Sequence, residues 1–148
     1  LCLYQLVEKH GEILYNTIQE KVDDTRKVFF IHGGVAAEER ERIRAITEKE
    51  NNAIIIASYG TFSTGVNIRN LHNLVFASPS KSRIRNLQSI GRGLRIGDTK
   101  THAKLYDISD DLIYRDRENY TLKHFQERMK IYNEEQFDYE IHNVDLKS

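Results

Sequence analysis

The residues with the clearest chemical meaning form the pattern Gln88-x-x-Gly91-Arg92-x-x-Arg95. On a helix, Arg92 and Arg95 share one face because they are three residues apart. Guanidinium groups stay charged and their planar donors match phosphate oxygens, and two of them side by side repel unless an anion lies between them. The pattern therefore indicates an arginine finger, which stabilises negative charge on a γ-phosphate during its transfer.

Two glycines in the same segment carry a cost that favours a functional explanation. Gly91 and Gly93 would each destabilise a helix by about 1 kcal/mol relative to alanine. In return, a glycine lets the backbone approach a partner closely. The alternative is an exposed basic helix whose glycines are incidental.

The segment around these arginines holds a local excess of positive charge. Between Lys81 and Lys104 there are seven basic residues and one acidic residue, a net charge of +6, whereas the whole chain has a formal net charge of zero. A local basic patch of this kind suits a polyanion such as a nucleic acid. On charge alone, a solvated helix face is the simpler explanation.

Two further loops could present donors to phosphate groups. Residues 58–67 follow an apolar run, are rich in hydroxyl side chains and contain Gly60 and Gly65. His32-Gly33-Gly34 lies between a predicted strand and a predicted helix, where backbone amides at a helix N-terminus suit a phosphate. Taken alone, each loop is equally consistent with an ordinary turn.

The sequence lacks the parts that hold a nucleotide. It contains no Gly-x-x-x-x-Gly-Lys-[Ser/Thr] loop and no acidic Mg²⁺ motif after a strand, so we expect any nucleotide to be held mainly by another domain. The six histidines lack the spacing of metal ligands, so no metal site is expected. The one cysteine, Cys2, excludes an internal disulfide and fits a reducing, cytoplasmic compartment. Because the first residue is Leu1 rather than Met, we expect the chain to be part of a longer protein.

Strand-like and helix-like segments alternate along the 148 residues, a length typical of one compact domain. Apolar runs predict strands over residues 1–7, 27–31, 53–58, 74–77 and 103–108. Helical spacing and composition predict helices over residues 8–22, 36–49, 82–94 and 115–134. Such alternation with short loops predicts right-handed βαβ units, and therefore an α/β fold with a mostly parallel sheet covered by helices on both faces.

Taken together, these motifs resemble those of the C-terminal RecA-like lobe of superfamily 2 helicases. Gln88 to Arg95 is similar to helicase motif VI, Ser63-Thr64-Gly65-Val66-Asn67 to motif V, and residues 1–5 to motif IV. Residues 30–34 resemble the strand and glycine element that precedes the next helix. Order and spacing agree over residues 1–110, which the resemblance implies to be a three-layer, P-loop NTPase-like lobe. Residues 111–148 match no general helicase motif, and we expect a C-terminal helical extension there.

The resemblance also implies roles for individual residues. Arg92 and Arg95 would reach across a cleft to the phosphates of ATP, which a missing N-terminal lobe would hold together with Mg²⁺, and Gln88 would couple that site to the cleft. The residues implied to lie near the nucleotide are Gly65, Asn67 and Gly91. The residues implied to contact the nucleic-acid backbone are Gly33, Gly34, Thr61, Ser63 and Thr64.

The function implied by the resemblance is that of the second motor lobe of an ATP-dependent DNA helicase or translocase. Among such enzymes, the chain resembles phage helicases of recombination and repair, which unwind and remodel branched DNA. One alternative is a passive nucleic-acid-binding α/β module without motor activity. A dinucleotide-binding oxidoreductase is disfavoured, because Gly91-x-Gly93 lacks a correctly placed third glycine and follows a predicted helix rather than a strand.

The missing nucleotide-binding loop generates a direct prediction. Residues 1–148 expressed alone should neither bind ATP tightly nor hydrolyse it, because arginine fingers act on phosphates that another domain holds. Phosphate release and equilibrium binding of a fluorescent ATP analogue measure the two properties. Robust ATP hydrolysis by the isolated chain would contradict the assignment of these arginines to a second lobe.

Overall fold

A computed structural model gives the fold. It describes residues 2–4, 8–58, 61, 72–77, 104–109, 120–134 and 136–146. The strands within this part are β1 (Cys2–Tyr4), β2 (Val28–Ile31), β3 (Ile54–Ser58), β4 (Asn73–Phe76) and β5 (Lys104–Asp107). The helices are α1 (Glu8–Lys21), α2 (Ala37–Lys49) and α3 (Tyr120–Glu134). The helix predicted over residues 82–94 lies outside the described residues.

The five strands form one sheet in the order β2-β3-β1-β4-β5, and every pairing in it is parallel. β3 is flanked on both sides, with Ile56 in register with Phe30 of β2 and with Cys2 of β1. A strand that is buried on both faces needs a continuous apolar run, and residues 54–57 provide one. The predicted α/β fold with a parallel sheet is confirmed.

One face of the sheet is covered by α1. Ile56 is fully buried there, and Leu14, Tyr15 and Ile18 of α1 pack around it. Their spacing of one, three and four residues places them on one side of the helix. The Tyr15 ring stacks on the Phe30 ring at 5.6 Å between centroids. This packing fixes α1 over β2 and β3.

The opposite face is covered by the other helices. Side chains alternate along a strand, so Ile55 and Ala57, which are buried, point away from α1. The connection from β1 to β2 and the connection from β2 to β3 run in opposite directions along the sheet. Since both crossovers are right-handed, α2 lies on the face opposite α1. The predicted three-layer arrangement, with helices on both faces, is confirmed.

The C-terminal region begins, within the described residues, at α3, which lies on the same face as α2. Asp107 of β5 is in register with Phe76 of β4 and bonds to α3, as described below. After α3, Gln136 has a φ of 58°, and the Phe137 amide donates to the Tyr132 carbonyl oxygen at 2.9 Å. Residues 138–146 then continue without helix or strand and are exposed. The boundary predicted between residues 110 and 111 lies outside the described residues.

Candidate functional site

Parallel strands bring the ends of several elements to one edge of the sheet. In open α/β sheets, ligands bind in the crevice outside the carboxyl ends of the strands. At that edge, Gly33 and Gly34 follow β2 and Thr61 follows β3. The structure therefore brings these three predicted residues to the same edge. The other predicted site residues lie outside the described residues; they are Ser63, Thr64, Gly65, Asn67, Gln88, Gly91, Arg92 and Arg95.

The glycine turn after β2 is organised by His32. The His32 ring packs against the Phe30 ring with centroids 5.1 Å apart, and its Nδ1 accepts a hydrogen bond from the Gly34 amide at 3.2 Å. The His32 carbonyl oxygen accepts a second bond from the Val35 amide at 3.0 Å. The Gly34 amide is thus already bonded within the turn. Gly33 is exposed, and its amide has no hydrogen-bond partner in the described part of the chain.

The glycine turn leads into a helix whose N-terminus carries no side-chain cap. Ala36 occupies the cap position and makes no side-chain hydrogen bond to the first turn of α2. Free amides at a helix N-terminus attract anions. Glu38 and Glu39 lie in the same turn, and Arg42 offsets the charge of Glu39 by donating to it from Nε at 2.8 Å. The pKa of Glu39 is lowered, chiefly by this hydrogen bond.

Arg40 is a residue of this edge that the sequence analysis did not single out. It is half-buried in the first turn of α2, and its Nε is buried with no hydrogen-bond partner in the described part of the chain. Arg42 and Arg44, in contrast, form ion pairs with glutamates three or four residues away. The sequence already shows that Arg40 has no acidic residue three or four positions away. The residues at those positions are Ala36, Ala37, Ile43 and Arg44. Arg40 is therefore a cation that no glutamate of α2 neutralises.

Thr61 closes the turn that follows β3. Its hydroxyl lies 2.7 Å from the Ser58 hydroxyl, and its amide donates to Ser58 Oγ at 3.3 Å. Only 6% of Thr61 is exposed. The structure thus places Thr61 within the turn, where it holds the start of the hydroxyl-rich loop. The contact with nucleic acid predicted for Thr61 remains a prediction.

A second feature missed by the sequence analysis is a polar cluster at the carboxyl end of β5. Asp107 Oδ2 and Oδ1 accept hydrogen bonds from Arg128 Nε and Nη2 at 2.6 and 2.7 Å. Arg128 Nη2 also donates to Ser109 Oγ at 2.7 Å, and the Tyr132 hydroxyl donates to Asp107 Oδ2 at 2.7 Å. Burial, followed by the nearby Asp107 carboxylate, raises the pKa of Tyr132 far above its ordinary value, so this hydroxyl stays a donor. Spacing alone could not reveal the pair, because the partners are 21 residues apart.

These features define the class of protein: a parallel α/β lobe that presents a glycine turn and an uncapped helix at one edge of its sheet. The chain belongs to the helicase conserved C-terminal domain family, whose model matches residues 4–97. It is 36% identical to the ATP-dependent DNA helicase uvsW of Enterobacteria phage T4, in an alignment 147 residues long that covers 93% of this chain. The predicted resemblance to a helicase C-terminal lobe is confirmed.

Solved structures agree with this assignment. The crystal structure of T4 UvsW matches 97% of the chain with a TM-score of 0.71 and 34% sequence identity. Two more distant structures share the fold: the C-terminal part of the Fun30 ATPase domain covers 90% of the chain (TM-score 0.59, 17% identity), and domain 2 of the DEAD-box helicase Mss116p covers 74% (TM-score 0.58, 15% identity). The chain spans 29% of the length of uvsW and matches 30% of the UvsW structure, 48% of the Fun30 structure and 42% of the Mss116p structure. Among the described helices, none is long and apolar enough to cross a membrane.

The glycine turn offers a matched pair of substitutions. A Cβ at position 34 would lie 3.0 Å from His32 Cε1, whereas a Cβ at position 33 would meet nothing within 4 Å. Gly34→Ala should therefore lower the free energy of unfolding by about 1 kcal/mol through crowding, and Gly33→Ala should leave it unchanged or raise it slightly. Urea unfolding followed by circular dichroism measures both. Equal losses in the two variants would contradict the packing of His32 described above.

Proposed function

We propose that this chain is the second motor lobe of an ATP-dependent DNA helicase or translocase that unwinds or remodels branched DNA in recombination and repair. The observation that carries the proposal is the position of the Gln88–Arg95 segment within a helicase C-terminal domain, between β4 and β5. The similarity to a phage DNA helicase over nearly the whole chain supports DNA as the substrate. As a phage-type enzyme of this kind, it would act in the cytoplasm of the host cell.

The side chains of Gln88, Arg92 and Arg95 suit the phosphates of ATP but not the Mg²⁺ ion that accompanies them. Arg92 and Arg95 supply guanidinium donors and Gln88 supplies an amide, while the segment from Gln88 to Arg95 contains no carboxylate that could hold Mg²⁺. We assign ATP and Mg²⁺ mainly to an N-terminal lobe of the same protein. ATP, when bound, supplies the phosphoryl group whose hydrolysis drives movement. Arg92 and Arg95 would stabilise the charge that develops on that group, and Gln88 would help couple the ATP site to the cleft.

The remaining predicted residues would lie near ATP or near the DNA backbone. Gly65, Asn67 and Gly91 would approach the nucleotide, where small side chains leave room for its phosphates and ribose. Ser63 and Thr64 would donate hydroxyls to the DNA backbone beyond the turn that Thr61 holds. Contacts of this kind go to phosphate and sugar, so we expect little dependence on base sequence.

The glycine turn and α2 would form a second backbone contact. Gly33 has an open amide, Gly34 holds the turn through His32, and the amides at the start of α2 are uncapped. Arg40 adds a cation with no acidic partner on its own helix. A backbone phosphate of DNA would supply the acceptor that the open amides lack, and Arg40 would add a positive charge nearby. Glu38 opposes such a contact, because its carboxylate repels a phosphate.

The alternative is a passive nucleic-acid-binding module without motor activity. The basic stretch between Lys81 and Lys104, with a net charge of +6, favours this function as much as a motor. The two functions differ in the consequence of losing an arginine. In a passive module Arg92→Ala and Arg95→Ala weaken DNA binding modestly, whereas in a motor they remove ATP turnover.

The motor assignment predicts a specific defect for Arg95→Ala in the full-length protein. DNA-stimulated ATP hydrolysis should fall by a factor of about 10³–10⁵, because an arginine finger acts on the transition state. Binding of ATP should persist, because the other lobe holds it. The matched control is Arg42→Ala, which removes a surface arginine already paired with Glu39. Turnover by Arg95→Ala at the control's rate would rule the motor assignment out.

The DNA contact at α2 predicts a difference between two neighbouring arginines. Arg40→Ala should weaken DNA binding and reduce the slope of log affinity against log salt concentration by about one, because one phosphate contact is lost. Arg42→Ala should change neither, since Glu39 already neutralises it. Fluorescence anisotropy with a forked DNA at several salt concentrations gives both slopes. Indistinguishable slopes for the two variants would remove Arg40 from the interface.

A further inference from the structure

Arg128 occupies an environment that is unusual for an arginine. It is fully buried, and it is the largest of the fully buried side chains in the described part of the protein. Its partner Asp107 has only 9% of its side chain exposed. Arginine is seldom buried unless it is paired, and here the pairing is bidentate, with Tyr132 and Ser109 completing the cluster.

Stability alone does not explain this choice of residues. Arg128 Nη1 is buried and has no hydrogen-bond partner among the residues that the structure describes. A charged donor left unsatisfied costs stability, and well-packed apolar residues often stabilise a protein more than a buried ion pair does. What an ion pair with two fixed bonds provides is geometry, because the planar fork of arginine accepts a carboxylate in one orientation only. The cluster thus fixes the orientation of α3 against β5.

β5 is the strand that needs such an anchor. It has four residues, and among the described strands it lies at the edge of the sheet and pairs with β4 alone. Asp107 is the last residue of β5, so the bonds from Arg128 and Tyr132 hold the strand at its carboxyl end. The Phe125 ring supports the guanidinium from one side, with Cζ 5.8 Å from the ring centroid.

In the sequence, β5 also ends the connection that carries the arginine segment. β4 and β5 are adjacent and parallel, and the chain between Phe76 and Lys104 carries Gln88, Arg92 and Arg95. Both ends of that connection are therefore fixed by these two strands. A shift of β5 along β4 would move the end of the connection that lies nearest Arg95. Displacement of a catalytic group by about 1 Å can reduce a rate by about 100-fold.

We propose that Asp107, Arg128 and Tyr132 are positioning residues for the ATP-directed arginines, and that α3 is a working part of the motor lobe. The three residues lie beyond residues 4–97, which the family model covers. The inference rests on the proposed function, since it requires that Arg92 and Arg95 act on ATP. These three residues make no contact with ATP themselves and act through β5.

The test uses Arg128→Lys and Tyr132→Phe in the full-length protein. Lysine keeps the charge but cannot form the bidentate pair, and phenylalanine removes only the bond to Asp107. At saturating DNA and well below the melting temperature, kcat for ATP hydrolysis should fall by about tenfold in Arg128→Lys and by about threefold in Tyr132→Phe. KM for ATP should stay unchanged, because the other lobe binds the nucleotide.

Two matched controls separate positioning from general loss of stability. Tyr139→Phe removes a bond from the Tyr139 hydroxyl to Asn133, on the same helix but away from β5. Arg42→Lys alters an exposed arginine that is also paired with a carboxylate. Both controls should keep the kcat of the unaltered protein. If Arg128→Lys does not fold, as circular dichroism would show, Tyr132→Phe decides the question alone.

The results also distinguish this inference from the proposed function. A lower melting temperature with unchanged kcat in both Arg128→Lys and Tyr132→Phe would overturn the positioning role, while loss of turnover in Arg95→Ala would leave the motor assignment standing. Full turnover in Arg95→Ala would overturn both. A reduced kcat with unchanged KM in Tyr132→Phe, and none in Tyr139→Phe, is the result that supports the inference.

Discussion

The parallel pairing of β3 with β1 and β2 determines where each loop of this lobe starts. Because all the strands run in one direction, the glycine turn after β2, the Ser58–Thr61 turn after β3 and the end of β5 meet at one edge of the sheet. The apolar run of β3 makes the pairing stable, since Ile55, Ile56 and Ala57 are buried on the two faces. A polar residue in that run would leave a buried group unsatisfied and weaken the arrangement on which the edge depends.

The ion pairs of α2 distinguish arginines that glutamates already neutralise from an arginine that no glutamate of the helix neutralises. Arg42 and Arg44 of α2 are engaged by glutamates on the same helix. Such exposed pairs contribute little to stability, but they neutralise the helix surface. Arg40 lacks an acidic neighbour at helical spacing and lies beside the glycine turn. The contrast within a single helix is what makes Arg40 a candidate for phosphate binding.

The C-terminal helix shows how a region without a recognisable motif can still belong to a catalytic lobe. α3 would be read as a charged surface helix from its composition, yet Arg128 and Tyr132, four residues apart, form its buried side. They bind Asp107, which closes the last strand of the sheet. After the helix, the Phe137 ring packs against the Tyr132 ring, with 6.2 Å between the centroids, and this contact holds the chain close to α3. The last strand of the described sheet is thereby held from the face on which α3 lies.

The sequence by itself determined the fold class and the family, because hydrophobic periodicity and the Gln88–Arg95 motif are local. It placed β2 at residues 27–31, where the structure has Val28–Ile31, and a helix at residues 115–134, of which the structure describes Tyr120–Glu134. Only the tertiary structure decided how the donors at the edge are used: it bonded the Gly34 amide to His32, buried Thr61 and left Arg40 Nε without a hydrogen-bond partner among the described residues. It also decided that Arg128 is internal. These outcomes depend on contacts between residues distant in the chain, such as Asp107 and Arg128, and no local pattern encodes which distant charges will meet.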